Sequence, residues 1–67
     1  VKPQEQACHY YLEQRGYSDA RPFRMSQLED KSWLLWFDLE EGELLLHVTW
    51  QWEQSEWSVF TVYFEVD

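Results

Sequence analysis

The chain has one cysteine, two glycines, two prolines and no lysine or arginine after Lys31. A lone Cys8 cannot close an internal disulfide, which argues against a bridge-stapled extracellular scaffold. No stretch approaches the roughly 18 uninterrupted apolar residues of a membrane span, and the start carries no basic segment leading into an apolar run. A soluble, cytoplasmic protein with no membrane partner is therefore expected. Also missing are a glycine-rich phosphate loop, a Cys/His metal box and a nucleophile with its base at recognisable spacing, so no enzyme, cofactor or metal is expected. The missing cations remove nucleic acid as a direct partner, because affinity for a phosphate backbone comes largely from Lys and Arg replacing counterions.

Aromatics and acids are plentiful. Residues 1–31 carry Lys2, Arg15, Arg21, Arg24 and Lys31 against five carboxylates and sum to zero, whereas residues 32–67 carry eight carboxylates and all five tryptophans and sum to −8. Such a surface attracts basic partners or keeps the chain in solution. At 67 residues there is room for one domain spanning 1–67, which buries only about 60% of its unfolded surface. Large aromatic side chains compensate for the low residue count, each burying roughly 150–250 Å².

Pro3 followed by Glu5 reads as a helix first turn, and Ala7, Cys8, Tyr11 and Leu12 fall on one side of a helix running to Arg15. Gly16 stops it, with Tyr17 folding back onto the last turn. Strands are expected over Phe23–Glu29, Ser32–Leu39, Leu44–Glu53 and Ser58–Val66 from their alternating apolar residues, with turns at Asp30-Lys31 and Glu40–Glu43. The fold class is α+β: an N-terminal helix packed on a four-stranded antiparallel meander, in effect α-β-β-β with a short first strand.

For the last strand, a five-residue loop Glu53–Trp57 sets Trp50 opposite Phe60, Val48 opposite Val62, Leu46 opposite Phe64 and Leu44 opposite Val66, all apolar pairs. That register predicts a core of Tyr11, Leu12, Phe37, Leu46, Val48, Val62 and Phe64. It leaves a second face with Leu34, Trp36, Leu45, His47, Thr49, Val59, Thr61 and Tyr63, with Trp36 beside His47. One helix of about 20 Å covers only half of a sheet some 19 Å wide, so this face is a candidate interface. The expected partner-binding residues are Leu34, Trp36, Leu45, His47, Val59 and Tyr63, with Trp36 and Tyr63 as anchors.

Cys8 and His9 point roughly 100° apart on a helix and His47 lies on a distant strand, so the three are not expected to share a metal. Cys8 reads as a small buried residue. Glu40, Glu41 and Glu43 lack the alternating oxygen ligands of a calcium loop and read as an acidic surface. The functional expectation is a small acidic, non-enzymatic protein-protein interaction module, homodimeric through the exposed sheet face or edge or bound to another protein. The alternative is an acidic inhibitor that mimics nucleic acid and blocks the basic groove of a nucleic-acid enzyme.

Overall fold

Lys2 holds extended backbone and Pro3 occupies the first helical position, so the chain enters helix α1 (Pro3–Glu13) where a missing N–H costs nothing. At the other end the Tyr17 N–H donates to the Leu12 carbonyl at 3.0 Å and the Gly16 N–H to the Glu13 carbonyl at 3.1 Å. Gly16 supports this closure at φ +88°, a left-handed position that glycine adopts without steric cost. Four antiparallel strands follow, β1 (Pro22–Gln27), β2 (Trp33–Leu39), β3 (Gly42–Gln51) and β4 (Glu56–Val66), in the spatial order β1-β2-β3-β4. The expected α+β meander is therefore the fold. The computed structural model describes residues 2–66, and among them no helix is long and apolar enough to cross a membrane.

Helix α1 lies over β3 and β4. Cys8 and Leu12 pack with Leu35, Phe37, Leu44, Leu46 and Val48 in one buried cluster, flanked by Tyr11, Tyr17, Met25, Trp33, Trp57 and Val59. Burial pushes the Cys8 thiol up to about 12, with the Glu5 charge adding to the effect. The thiolate is therefore scarce near neutral pH, so alkylation of the native protein should be slow and should accelerate under conditions that unfold it. Rapid stoichiometric labelling in native buffer would contradict this burial.

Two turns are tighter than the sequence suggests. Leu39 pairs with Gly42, leaving Glu40-Glu41 as a two-residue loop, so Trp36 pairs with Leu45 and Leu34 with His47. The expected neighbour relation between Trp36 and His47 is thus replaced by a diagonal one, although each residue keeps its face. Gly42 is required by close approach: a Cβ there would lie 2.0 Å from the Glu65 carbonyl oxygen and 2.8 Å from the Val66 Cα.

The register of β4 corrects the sequence reading. Its loop is Trp52–Ser55, closed by Gln51 opposite Glu56, so Trp57 faces Trp50, Val59 faces Val48, Thr61 faces Leu46 and Phe60 faces His47. An irregularity at Val62 then shifts the phase, and Tyr63 and Phe64 face Leu45 and Leu44. Directly opposed residues share a face. Val59 and Thr61 therefore lie on the helix side, where the Tyr11 hydroxyl and Thr61 Oγ1 are 2.6 Å apart, and Phe60 lies on the opposite side. Val62 and Phe64, expected in the core, are exposed, while Tyr11 is only half-buried. The bulge at Val62 adds one unpaired residue and changes the register. Phe64 thereby returns to the helix side opposite Leu44, but it stays exposed near the end of an edge strand.

Candidate functional site

Three surfaces hold groups that could act on another molecule: the sheet face away from α1, the β4 edge beside it, and the tryptophan-rich end of the sheet. On the open face the cross-strand pairs form rows. Nearest the Glu40-Glu41 turn, Asp38, Glu43 and Glu65 stand abreast. The next row is Arg24, Trp36, Leu45 and Tyr63, and the next is Ser26, Leu34, His47 and Phe60.

Much of this face is satisfied within the chain. The Arg24 guanidinium lies 4.6 Å from the centroid of the Trp36 ring, and the Tyr63 hydroxyl donates to Glu43 Oε2 at 2.5 Å. Leu45 is buried between these neighbours although no helix covers it. Leu34, Trp36, Leu45, His47 and Tyr63 thus occupy one continuous surface. Val59, assigned to the same surface from sequence, is instead on the helix side and packs against the core.

The acidic turn is bound on both sides. Glu41 accepts a hydrogen bond from the Tyr17 hydroxyl and Glu43 from the Tyr63 hydroxyl, while Glu40 is exposed. Both tyrosine pKa values are raised, first by the hydrogen bond to the carboxylate. The folded state therefore holds both phenolic protons more tightly. That contribution to stability is present below the ordinary tyrosine value of 10.0 and is lost as pH rises through the raised values. Tyr17→Phe and Tyr63→Phe should flatten the alkaline limb of the melting temperature against pH, and an unchanged limb in the double variant would contradict these bonds.

A second polar chain ties the β1–β2 turn to β3. Asp30 Oδ1 accepts from the Ser32 N–H at 3.0 Å and from Ser32 Oγ at 2.5 Å, and Ser32 Oγ is 2.9 Å from His47 Nε2. The hydroxyl proton goes to the charged acceptor, so His47 Nε2 donates to the serine. This order places the serine between carboxylate and imidazole, the reverse of a relay that needs the imidazole in the middle to take the serine proton. Ser32 is also buried. The chain works as a clamp that supports Lys31, which holds the left-handed position of the turn at φ +74°. The serine hydrogen bonds hold the Asp30 carboxyl below its ordinary value of 3.8. Its stabilisation is present above that value and is lost as pH falls through the lowered one. Asp30→Asn should remove part of the acid limb, and an identical acid limb in the variant would contradict the clamp.

At the far end of the helix-side face, Trp33, Trp50 and Trp57 gather beside Pro3 and Gln4. Trp50 meets Trp57 edge to face at 5.3 Å and 68°, and meets Trp52 at 5.9 Å and 84°. Sequence reasoning missed this cluster because its loop assignment removed Trp57 from the strand. The signal was Trp57 itself, which faces Trp50 once the loop shortens to four residues.

His9 sits on the exposed side of α1 with Nε2 3.6 Å from Glu13 Oε1, whereas the adjacent Cys8 side chain is buried. Among the described residues no three His, Cys, Asp or Glu side chains converge as metal ligands. The chain matches no protein-family model, no curated protein and no solved structure.

Proposed function

We propose that this chain is a non-enzymatic protein-interaction module that docks through the free edge of β4, with a second copy of itself as the occupant. The observation that carries this reading is the exposure along that edge: Phe60 53%, Val62 53%, Phe64 42% and Val66 68%. The two edges of the sheet differ. Strand β1 is short, begins at Pro22, carries an irregularity at Phe23 and bears Arg24, all features that discourage strand addition. Strand β4 has 11 residues with no proline, lysine or arginine, and its only charges are Glu56 and Glu65. Its outward backbone groups form a ready template for another strand.

An antiparallel edge pair is self-complementary, so a two-fold dimer needs no second surface. The bulge confines uninterrupted pairing to the Glu56–Thr61 segment. Centring the pair on Val59 keeps every side chain on its own face, sets Trp57 opposite Thr61 and Ser58 opposite Phe60, and opposes no two carboxylates. Phe60→Lys should abolish association in about 0.5 M salt, where repulsion is screened. Because that side chain is more than half exposed, monomer stability should change by under about 0.5 kcal/mol. Dimers that persist in the variant would refute the edge.

The row Asp38, Glu43 and Glu65 favours a second reading, an acidic inhibitor of a basic nucleic-acid-binding groove. In that case reversing the charges of Glu40, Glu41 and Glu43 would abolish binding to such an enzyme, and the β4 variants would leave it intact.

A further inference from the structure

At the tryptophan-rich end of the sheet only Trp57 belongs to the Glu56–Thr61 edge segment; Trp33, Trp50 and Trp52 carry chemistry that edge pairing does not use. Trp33, Trp50, Trp52 and Trp57 line an open groove of ≈ 810 Å³ with Gln4 and the Asp30–Ser32 turn at its rim. The geometry points to a binding site for an uncharged, polyhydroxylated ring, that is, a saccharide unit that stacks on Trp52 and hydrogen-bonds Gln4.

Trp52 supplies the platform. It is 84% exposed, in the loop between β3 and β4, and Trp50 stands against it at 84° with centroids 5.9 Å apart. That contact meets part of the cost of ordering an indole that presents a flat apolar face to a ligand. The ring hydrogens on one face of a pyranose carry partial positive charge and suit the negative face of the indole.

Gln4 is the independent observation. It is only 6% exposed, its side-chain amide makes no hydrogen bond among the described residues, and none of its polar atoms is sealed from water without a partner. An amide buried to that degree normally finds partners in the protein or in ordered water. Gln4 lines the groove, where it offers both a donor and an acceptor to a ligand. A hydroxyl, which both gives and accepts, satisfies that pair as no simple ion can.

Charge decides between ligand classes. Asp30 and Lys31 stand together on the rim and cancel, and Asp30 Oδ1 is already occupied by Ser32. A phosphate or carboxylate ligand would meet the net −8 of the chain. A quaternary ammonium would meet Lys31 beside a single carboxylate, without the enclosing cage such cations use. A neutral polyol meets neither penalty.

The test is a titration of the intact chain with cellohexaose, maltohexaose and chitohexaose, followed by tryptophan fluorescence and by the indole N–H resonances, with tetramethylammonium chloride and inorganic phosphate as charged probes. At least one hexaose should saturate, with affinity unchanged between about 0.05 and 0.5 M salt. Trp52→Ala should weaken it about tenfold or more without moving the melting temperature, because that ring is exposed. Gln4→Met, which preserves volume, should weaken it as well. Failure of all three hexaoses to bind by about 10 mM, saturation by tetramethylammonium or phosphate instead, or full affinity in Trp52→Ala would each overturn the assignment.

Discussion

Leu46→Ala should cost about 2–5 kcal/mol, a large part of the roughly 5–15 kcal/mol that holds a small domain together. Leu46 is fully buried in the cluster that contains Cys8 and Leu12, so truncation leaves a cavity the helix cannot collapse into. Phe64→Ala should cost roughly half as much or less, since that ring is 42% exposed near the end of an edge strand. The contrast follows from exposure rather than from face. Phe64 stands opposite Leu44 on the helix side but near the end of the edge strand, so its truncation opens no buried cavity. Equal losses in urea denaturation would mean that Phe64 is buried as deeply as Leu46.

Gly42→Ala should be nearly as damaging, at about 3 kcal/mol, although it adds a single methyl group. That methyl would sit 2.0 Å from the Glu65 carbonyl oxygen, a backbone atom that can move only if the end of β4 moves with it. The expected signature is local as well as global: pairing of Gly42 to Leu45 with Tyr63 to Val66 should weaken, seen as faster amide exchange there, while Glu56–Thr61 stays paired. A variant as stable as the parent would mean that the end of β4 does not rest against the turn.

The helix was readable because each of its signals is local. Pro3 and Glu5 mark its start, and Gly16 with Tyr17 marks a closure that depends on a few consecutive residues. The faces of β2 and β3 were readable for a similar reason, since their apolar residues alternate and a two-residue error in turn length does not change parity. Strand β4 resisted because it carries apolar side chains at both parities. Even so, a phase change is written in it. Trp57 and Val59 are apolar at odd positions, Phe64 and Val66 at even ones, and a strand that keeps both ends toward the core must slip once between them.

The functional surfaces were less readable than the fold. Leu34, Trp36, Leu45, His47 and Tyr63 share a face because parity alone determines it, but the bonds of Tyr17 to Glu41 and Tyr63 to Glu43 join residues 24 and 20 positions apart and depend on register. The exposure of Phe60, Val62 and Phe64 was hidden for the same reason: the expected pairing set all three on the core face. The tryptophan groove needs Trp33, Trp50 and Trp57 on one face and Gln4 at the helix start, a meeting of three distant segments that no local pattern encodes.

The proposed edge association through β4 predicts a salt dependence opposite to that of charge-driven binding. Each copy carries −8, so screening that shortens from about 30 Å at 0.01 M to about 4 Å at 0.5 M should promote self-pairing rather than weaken it. The direct measurement is sedimentation equilibrium of the purified chain across that range. The expected result is a mass rising from monomer toward dimer as salt increases, with Phe60→Lys monomeric in about 0.5 M salt. A mass that stays monomeric at every salt concentration, or a dimer that dissociates as salt is added, would contradict it.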